Sequence, residues 1–505
     1  LTRETGSSSA SAASAARRSR ARAAPVDGHG GDADALAALS PLLECPRCRH
    51  ADAALAARGD HFVCPNCKTA FPIHRSGGAR IPWLFRDPEA VRLEWSSRYS
   101  GFLHASSAEK ARLERALGET RRRKTAAARI EAQLQARDAQ RKAIMDLLGP
   151  LALGVPRGSR LDRPGVLHPP ARRRDALASR CDAIFRDWGW DSAENDSLAE
   201  CVRSVLSKQR AFAPARLLAL GAGACRLAYD LHRRHTPELT VALDPNPLLL
   251  CVAGRVVHGE TVTLPEFPGA PLNKASFAVT RSCVAPEPLR DGRFALVLGD
   301  PLNAPLKAGA FDVVSTCGVI DAAPQDLGEL VRSVSRLLEK GGTWLNTGPV
   351  AFTHRNEAWR YSDEELVELV AASGFDVVAT ERHAVPWFQS PASAVGRIEH
   401  VLSFRAVKTG DAAACEHNED APWLRDIRRA VPDLDELVVA AAQRLVQAQI
   451  LGAVDGRRSV AEIAQLVAKR YGLQPSEAEG AVRRVLFETC DASDADRSDP
   501  LASLE

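Results

Sequence analysis

The sequence has no apolar run long enough to span a bilayer and no secretory leader built around an apolar core. Those two absences argue against a helical membrane protein and place the 12 cysteines in a reducing compartment, so the expected location is cytoplasmic. Bulk charge of one sign is missing as well: 66 Lys and Arg against 63 Asp and Glu leave a formal net charge of +3. The cations are grouped in the N-terminal third, at Arg17-Arg18, Arg121-Arg122-Arg123-Lys124 and Arg172-Arg173-Arg174. A solvated helix face beside flexible linkers accounts for such runs, and contact with nucleic acid or an acidic substrate is the alternative. Residues 1–36 are short of large apolar side chains and rich in Ser, Ala and Arg, so a disordered tail is expected, although transit peptides share that composition.

A phosphate-binding loop is also absent. Leu217-Leu218-Ala219-Leu220 is a short apolar run suited to a buried parallel strand, and Gly221-Ala222-Gly223 lets the backbone turn sharply behind it. The next helix opens at Arg226, where a dinucleotide-binding turn usually has a third glycine, and no Lys-Ser/Thr pair follows. Val241-Ala242-Leu243-Asp244 is a second apolar strand, and its carboxylate lies where a ribose hydroxyl pair needs an acceptor; a helix N-cap is the competing role. Leu296-Val297-Leu298-Gly299-Asp300 ends in a carboxylate suited to an adenine amino group. Leu306 to Ala310 forms a hairpin-like turn into the strand Phe311-Asp312-Val313-Val314, and Leu337 to Asn346 reads as a helix closed by Gly341-Gly342 that enters a further strand. This order resembles class I S-adenosylmethionine-dependent methyltransferases, which implies an α/β, Rossmann-like sheet and S-adenosylmethionine as cofactor.

A narrower set of segments runs from Arg186 to Lys408. It comprises Arg186-Asp187-Trp188, Gly221-Ala222-Gly223 with Arg226-Leu227-Ala228, Gly299-Asp300, Thr316-Cys317-Gly318-Val319-Ile320-Asp321, Trp344-Leu345-Asn346-Thr347-Gly348-Pro349 and Tyr361 to Leu366. Together they resemble the carnosine N-methyltransferase family, whose members methylate an imidazole nitrogen of a histidine-containing substrate. By that resemblance Gly221, Gly223, Arg226, Asp244, Asp300 and Cys317 line the cofactor pocket, and Asp321 meets the substrate. The chemistry suits a carboxylate there. Accepting a hydrogen bond from one ring N–H fixes the tautomer, leaves the other nitrogen a lone pair for in-line attack and stabilises the ring as it becomes cationic. A cap for the helix beginning near Pro324 is the alternative role of Asp321. His354 and Tyr361 are candidates to orient the substrate, with surface or packing positions as the alternative.

Departures from the family fall on the substrate side: Ala322 replaces a Thr, Pro324-Gln325 replaces His-Asn, His354 is displaced by one position, and the segment Leu264 to Phe267 is altered. The acceptor is therefore expected to be a histidine in a small molecule or in a peptide. A tRNA or ribosomal RNA methyltransferase is a second reading, weakened because Cys317 to Asp321 replaces the Asn/Asp-Pro-Pro-aromatic element that holds a base amine. A non-enzymatic binding scaffold is a third.

Four cysteines carry a separate signal. Cys45-Pro46-Arg47-Cys48 and Cys64-Pro65-Asn66-Cys67 are paired knuckles at zinc-site spacing, each aiming two thiolates at one tetrahedral ion with no open position for catalysis. With the segment through Trp83-Leu84, they resemble the zinc-ribbon activator that accompanies some RNA and protein methyltransferases.

The resulting organisation is a disordered tail at 1–36, a zinc ribbon at 37–86, a helical region and linker at 87–175, a methyltransferase domain at 176–408 and a small unit at 430–490. Residues 105–148 are expected to form one or two helices broken near Gly118 and stopped by Gly149-Pro150, placed to cover the pocket mouth; 156–174 reads as linker. In the last unit Ser459 is expected to cap a helix with Ile463 and Leu466 facing inward. That unit resembles a winged-helix module similar to PqqD-type peptide-binding domains, with plain packing or dimerisation as the alternative.

Overall fold

The computed structural model describes residues 30–50, 54–119, 124–153, 177–191, 193–207, 212–321, 327–352, 357–412 and 430–491. Helix α1 (Gly30–Leu39) begins inside the stretch expected to be disordered. Ala35, Leu36 and Leu39 are buried in the main core, so this apolar stripe has a surface to cover. The ribbon strands follow: β1 (Ala56–Arg58), β2 (His61–Val63), β3 (Ala70–Ser76) and β4 (Ala79–Leu84), paired antiparallel in sequence.

Nine further strands are β5 (Arg216–Leu220), β6 (Leu239–Asp244), β7 (Val262–Glu266), β8 (Val279–Cys283), β9 (Phe294–Gly299), β10 (Phe311–Cys317), β11 (Leu338–Pro349), β12 (Phe375–Trp387) and β13 (Arg397–Lys408). All but the β7–β8 pair join the ribbon in one 11-stranded sheet of order β1-β2-β3-β4-β9-β6-β5-β10-β11-β13-β12. From β9 to β11 the strands are parallel, and β13 is antiparallel to both β11 and β12. This is the expected Rossmann-like class I methyltransferase sheet. Its central strands β6 and β9 are buried along their whole length, which is why they read as continuous apolar runs instead of alternating ones. The ribbon is continuous with it: β4 pairs in parallel with β9 through Trp83↔Leu298 and Leu84↔Gly299.

One sequence expectation is corrected at the β11 boundary. The helix before it stops at Leu337, and β11 starts at Leu338, so Gly341-Gly342 does not cap a helix. The two glycines instead take up a register shift, where Phe311 pairs with Leu338 but Val313 pairs with Thr343. Gly341 has φ +82, a conformation that costs other residues strain.

Helices α2 (Pro88–Glu119) and α3 (Lys124–Leu148) form a long hairpin, ended by a 3-10 turn at Gly149–Leu151. Arg137 stacks on Phe267 at 3.5 Å and Arg129 on Phe277 at 4.5 Å, docking the hairpin on the β7–β8 insertion. The expected linker at 156–174 lies outside the described residues. The C-terminal unit comprises helices Asp435–Gly452, Val460–Tyr471 and Pro475–Asp491, with no strand among the described residues and hence no wing. Ser459 caps the second of these reciprocally with Glu462. Ile463 is buried as expected, but Leu466 is 49% exposed; Ala464 and Val467 complete the inward stripe and centre it on the side of Ile463 away from Leu466, which is left at its rim. No described helix is long and apolar enough to cross a membrane.

Candidate cofactor site and metal centre

The glycine turn lies directly beyond β5. Gly221 has φ +63 and Gly223 φ +59, and Cys225 also takes a left-handed φ of 73 before α6 (Arg226–His235 here, preceded by Cys181–Trp188 and Ala193–Leu206 as α4 and α5) begins. Asp244, the last residue of β6, latches this turn: Oδ2 accepts the Gly223 N–H at 2.8 Å and Oδ1 the Asn246 N–H at 2.8 Å. Burial pushes its carboxyl up to about 6, opposed by those two hydrogen bonds. The helix-capping role weighed for Asp244 is held by Asn246, whose side chain accepts from Leu248 and Leu249 at the start of α7 (Pro247–Val256). Asp300 follows β9, and its Oδ1 accepts the Leu302 N–H at 2.9 Å, capping a short 3-10 turn. Burial raises its carboxyl too. Cys317 ends β10, and burial holds its thiol up at about 11 despite the neighbouring Arg186 charge.

Gly221, Gly223, Asp244, Asp300, Cys317 and Asp321 therefore all sit at the carboxyl ends of the parallel strands, the edge at which open α/β sheets bind ligands. Arg226 is nearby but committed elsewhere. Its Nε donates to both Asp230 oxygens at 2.9 and 3.1 Å, and Nη1 donates to the Asp187 carbonyl at 3.1 Å, so it ties α6 to α4.

The cation facing the turn is Arg186, for which the sequence offered a motif but no position. It donates from Nε to Asp187 at 2.8 Å, lies 3.9 Å from Glu194 and sits over the Phe388 ring at 4.8 Å. With Asn195, Gly221, Ala222 and Cys317 it lines a cavity of about 20 Å³. Trp188 locks the same segment down by donating to the Ala224 carbonyl at 2.7 Å. Burial lifts the Glu194 carboxyl to about 7, against the pull of Arg186. A larger cavity of about 540 Å³ opens between α5 and α6, lined by Val202, Leu206, Phe212, Leu231 and Arg234, but holds none of the catalytic or metal candidates.

On the substrate side, Asp321 follows β10 and accepts the Ala351 N–H just beyond β11; burial pushes it up to about 6, with the Glu399 charge adding and the Arg397 charge subtracting. The residues weighed as its helix-capping partners, 322–326, lie outside the described residues, as does His354. The Tyr361 ring packs edge-on against Phe352 at 5.6 Å at the margin of the core, which gives it a packing role. Ser362 and Glu365 form a capping box for the helix Asp363–Ala372. Thr316, Trp344 and Asn346 also prove structural. Trp344 Nε1 donates to the Thr316 hydroxyl at 3.0 Å, that hydroxyl donates to Asn346 Oδ1 at 2.8 Å, and Asn346 donates to the Leu402 carbonyl at 3.1 Å, joining β10, β11 and β13 inside the sheet.

The four ribbon cysteines converge. Their donor atoms all lie within 4.8 Å of one another, with Sγ separations of 3.7 Å for Cys45 and Cys67 and 3.6 Å for Cys48 and Cys64. A tetrahedron with zinc–sulfur bonds of ~2.3 Å has edges of ~3.8 Å, so the set fits such an ion.

Residues 276–408 match the family described as carnosine N-methyltransferase, a span that runs from before β8 to the end of β13 and includes Asp300, Cys317, Asp321 and Tyr361. This segment resembles that family. A carnosine N-methyltransferase of Dictyostelium discoideum is 34% identical over 84 residues, 16% of this chain and 18% of that relative, so the chain matches just under a fifth of the relative's length. Among solved structures, the N-methyltransferase NodS of Bradyrhizobium japonicum overlaps 46% of this chain and 98% of its own at 14% identity and a TM-score of 0.31. A complex of the Haloferax volcanii Trm112 methyltransferase activator with a methyltransferase overlaps 45% of this chain and 98% of that chain at 15% identity and a TM-score of 0.31. The strand order itself defines the methyltransferase fold.

Proposed function

We propose that this chain is an S-adenosylmethionine-dependent N-methyltransferase acting on a histidine imidazole in a small molecule or peptide, with a structural zinc ion in the ribbon. The observation that carries the reading is that Asp321, inside the segment resembling carnosine N-methyltransferases, shares one sheet edge with the glycine turn, Asp244 and Asp300.

Bound S-adenosylmethionine supplies a sulfonium-activated methyl group. Every other part of the task falls to side chains of this protein. Asp244 keeps unused lone pairs for the ribose hydroxyls, and Asp300 accepts from the adenine amine. Arg186, a buried cation beside Gly221, meets a carboxylate. Asp321 accepts the imidazole N–H, which holds the other ring nitrogen unprotonated and stabilises the charge that develops on the ring. A carboxyl raised to about 6 is still ionised at neutral pH and so remains an acceptor there. Cys45, Cys48, Cys64 and Cys67 would hold zinc away from this chemistry.

The reading is tested by transfer of labelled methyl groups to histidine, carnosine, histidine-containing peptides and total RNA, with mass spectrometry of the products. Label on an imidazole nitrogen is the expected result. Label on RNA alone would overturn it in favour of a nucleic-acid acceptor. The cation runs that would favour RNA fall mainly outside the described residues, at Arg17-Arg18, Arg121 to Arg123 and Arg172 to Arg174.

A further inference from the structure

The ribbon knuckle and the turn bearing Asp300 are joined by a compact set of hydrogen bonds. Arg49, the residue after Cys48, donates through Nη1 to the Ala304 carbonyl at 2.9 Å and through Nη2 to Asn303 Oδ1. Asn303 returns a bond from Nδ2 to the Pro46 carbonyl, inside the first Cys-x2-Cys, at 3.3 Å. Glu44 pairs with Arg49 at 3.3 Å and with Arg336 at 3.5 Å, and Arg336 donates to the same Ala304 carbonyl at 2.8 Å. Two backbone bonds flank the contact: Glu44 N–H to the Pro305 carbonyl at 3.0 Å, and Lys307 N–H to the Leu42 carbonyl at 2.9 Å.

Both partners are small, self-contained turns. Arg49 takes a left-handed φ of 51, and its N–H bonds the Cys45 carbonyl at 3.0 Å, so the direction of its side chain follows the fold of the cysteine knuckle. At the other end, Asn303 N–H bonds the Asp300 carbonyl at 3.1 Å and Leu302 N–H bonds the Asp300 carboxylate at 2.9 Å. Whatever fixes Asn303 therefore fixes Asp300. The ribbon shares the main core through Leu43, Leu55, Phe62 and Phe71, so what a metal ion would add is the conformation of the two cysteine knuckles themselves. An arginine fork is also the side chain that reaches two acceptors at once, where a lysine reaches one.

From this arrangement we infer that Arg49 is a positioning residue for adenine recognition: the metal-held knuckle, through Arg49 and Asn303, sets the orientation of Asp300 and with it the preference of the site for a 6-amino purine. The inference rests on the reading above that Asp300 meets the adenine amine.

The test uses the full chain with its metal and calorimetry with two ligands, S-adenosylhomocysteine and its 6-oxo purine counterpart, in which the amine is replaced by a carbonyl. The unaltered protein should favour the amino form by at least about tenfold, because the wrong purine leaves the buried carboxylate facing an acceptor. Arg49→Ala should bring that ratio down towards unity, and Arg49→Lys should recover part of it. Asn303→Ala, which cuts the other end of the contact, should reproduce the loss and stands in if Arg49→Ala does not fold. Removal of the metal by a chelator, verified by its absence from the protein, should lower the ratio in the same way. An unchanged ratio in Arg49→Ala, in Asn303→Ala or in the metal-free protein, with Asp300→Ala abolishing it, overturns the inference and leaves the adenine reading standing. Uniform weakening of both ligands overturns it equally, since mere support of the fold does not discriminate between purines. An unchanged ratio in Asp300→Ala overturns the adenine reading itself.

Discussion

Gly221 and Val319 meet across the carboxyl ends of β5 and β10: a Cβ on Gly221 would lie 2.4 Å from Val319 Cγ2. Gly223, two residues on, has no such neighbour, the nearest atom being the Arg186 guanidinium at 3.7 Å. Both have positive φ, so both pay a backbone penalty of about 1 kcal/mol on substitution by Ala. Only Gly221 adds a clash with a β-branched side chain that cannot swing away. Gly221→Ala is expected to lower stability by ~2–4 kcal/mol and cofactor affinity by more than about tenfold, against ~1 kcal/mol for Gly223→Ala. Thermal melts and calorimetry on the two variants check the difference.

Asp321→Asn should reduce turnover by about 100-fold or more while leaving cofactor affinity within about twofold, because the amide is a weaker acceptor for a developing imidazolium. With its carboxyl raised to about 6, turnover of the unaltered protein should be full above that value and fall as pH drops through it. The substrate imidazole titrates near ~6.5 as well. The limb belonging to Asp321 is the one that disappears from the pH profile of kcat in Asp321→Asn, and retention of both turnover and that limb would remove Asp321 from the mechanism.

Burial raises two acidic groups on the α4–α5 side of the sheet, Asp244 to about 6 and Glu194 to about 7. Their unfolded values lie near 4 to 4.5, roughly those of model peptides, so between these limits the native state holds protons that the unfolded chain has released. The stabilisation that this cluster contributes is full below about pH 4 and is lost as pH rises through about 6 to 7. Glu194→Gln removes one such group, and should gain on the unaltered protein by on the order of 1–3 kcal/mol in going from about pH 5 to about pH 8. Thermal melts of the pair at the two pH values give the sign directly.

Cys64→Ser should abolish stoichiometric zinc binding and lower the melting temperature, since the ribbon strands form the edge of the main sheet. Methyl transfer at saturating cofactor should remain measurable, because no ribbon cysteine reaches the reacting edge. Elemental analysis and a turnover assay on the same preparation check both halves.

The legible parts of the sequence were those in which a local pattern dictates local structure. Apolar runs ending in Asp244 and Asp300 mark strands buried on both faces, and the Cys45–Cys48 and Cys64–Cys67 knuckles announce themselves by spacing alone. Long-range packing was not legible. Nothing in Arg186-Asp187-Trp188 says that it folds over a glycine turn far downstream, and the burial that perturbs Glu194 comes from the same packing. Gly341-Gly342 fits a helix cap as well as a bulge until the pairing of β10 with β11 is known. The inward face of the helix Val460–Tyr471 likewise depended on where its two neighbours lie, which Leu466 alone does not reveal.

The parallel pairing of Trp83 and Leu84 with Leu298 and Gly299 has a kinetic meaning beyond architecture. Docking of the ribbon strand onto the sheet is a first-order event, set by chain length and independent of how much protein a cell contains. Dilution cannot strip the ribbon away, and every methyltransferase domain carries one ribbon in fixed proportion. Any dependence of activity on the ribbon would then report the state of its four cysteines and of a metal held by them, never the abundance of a separate subunit.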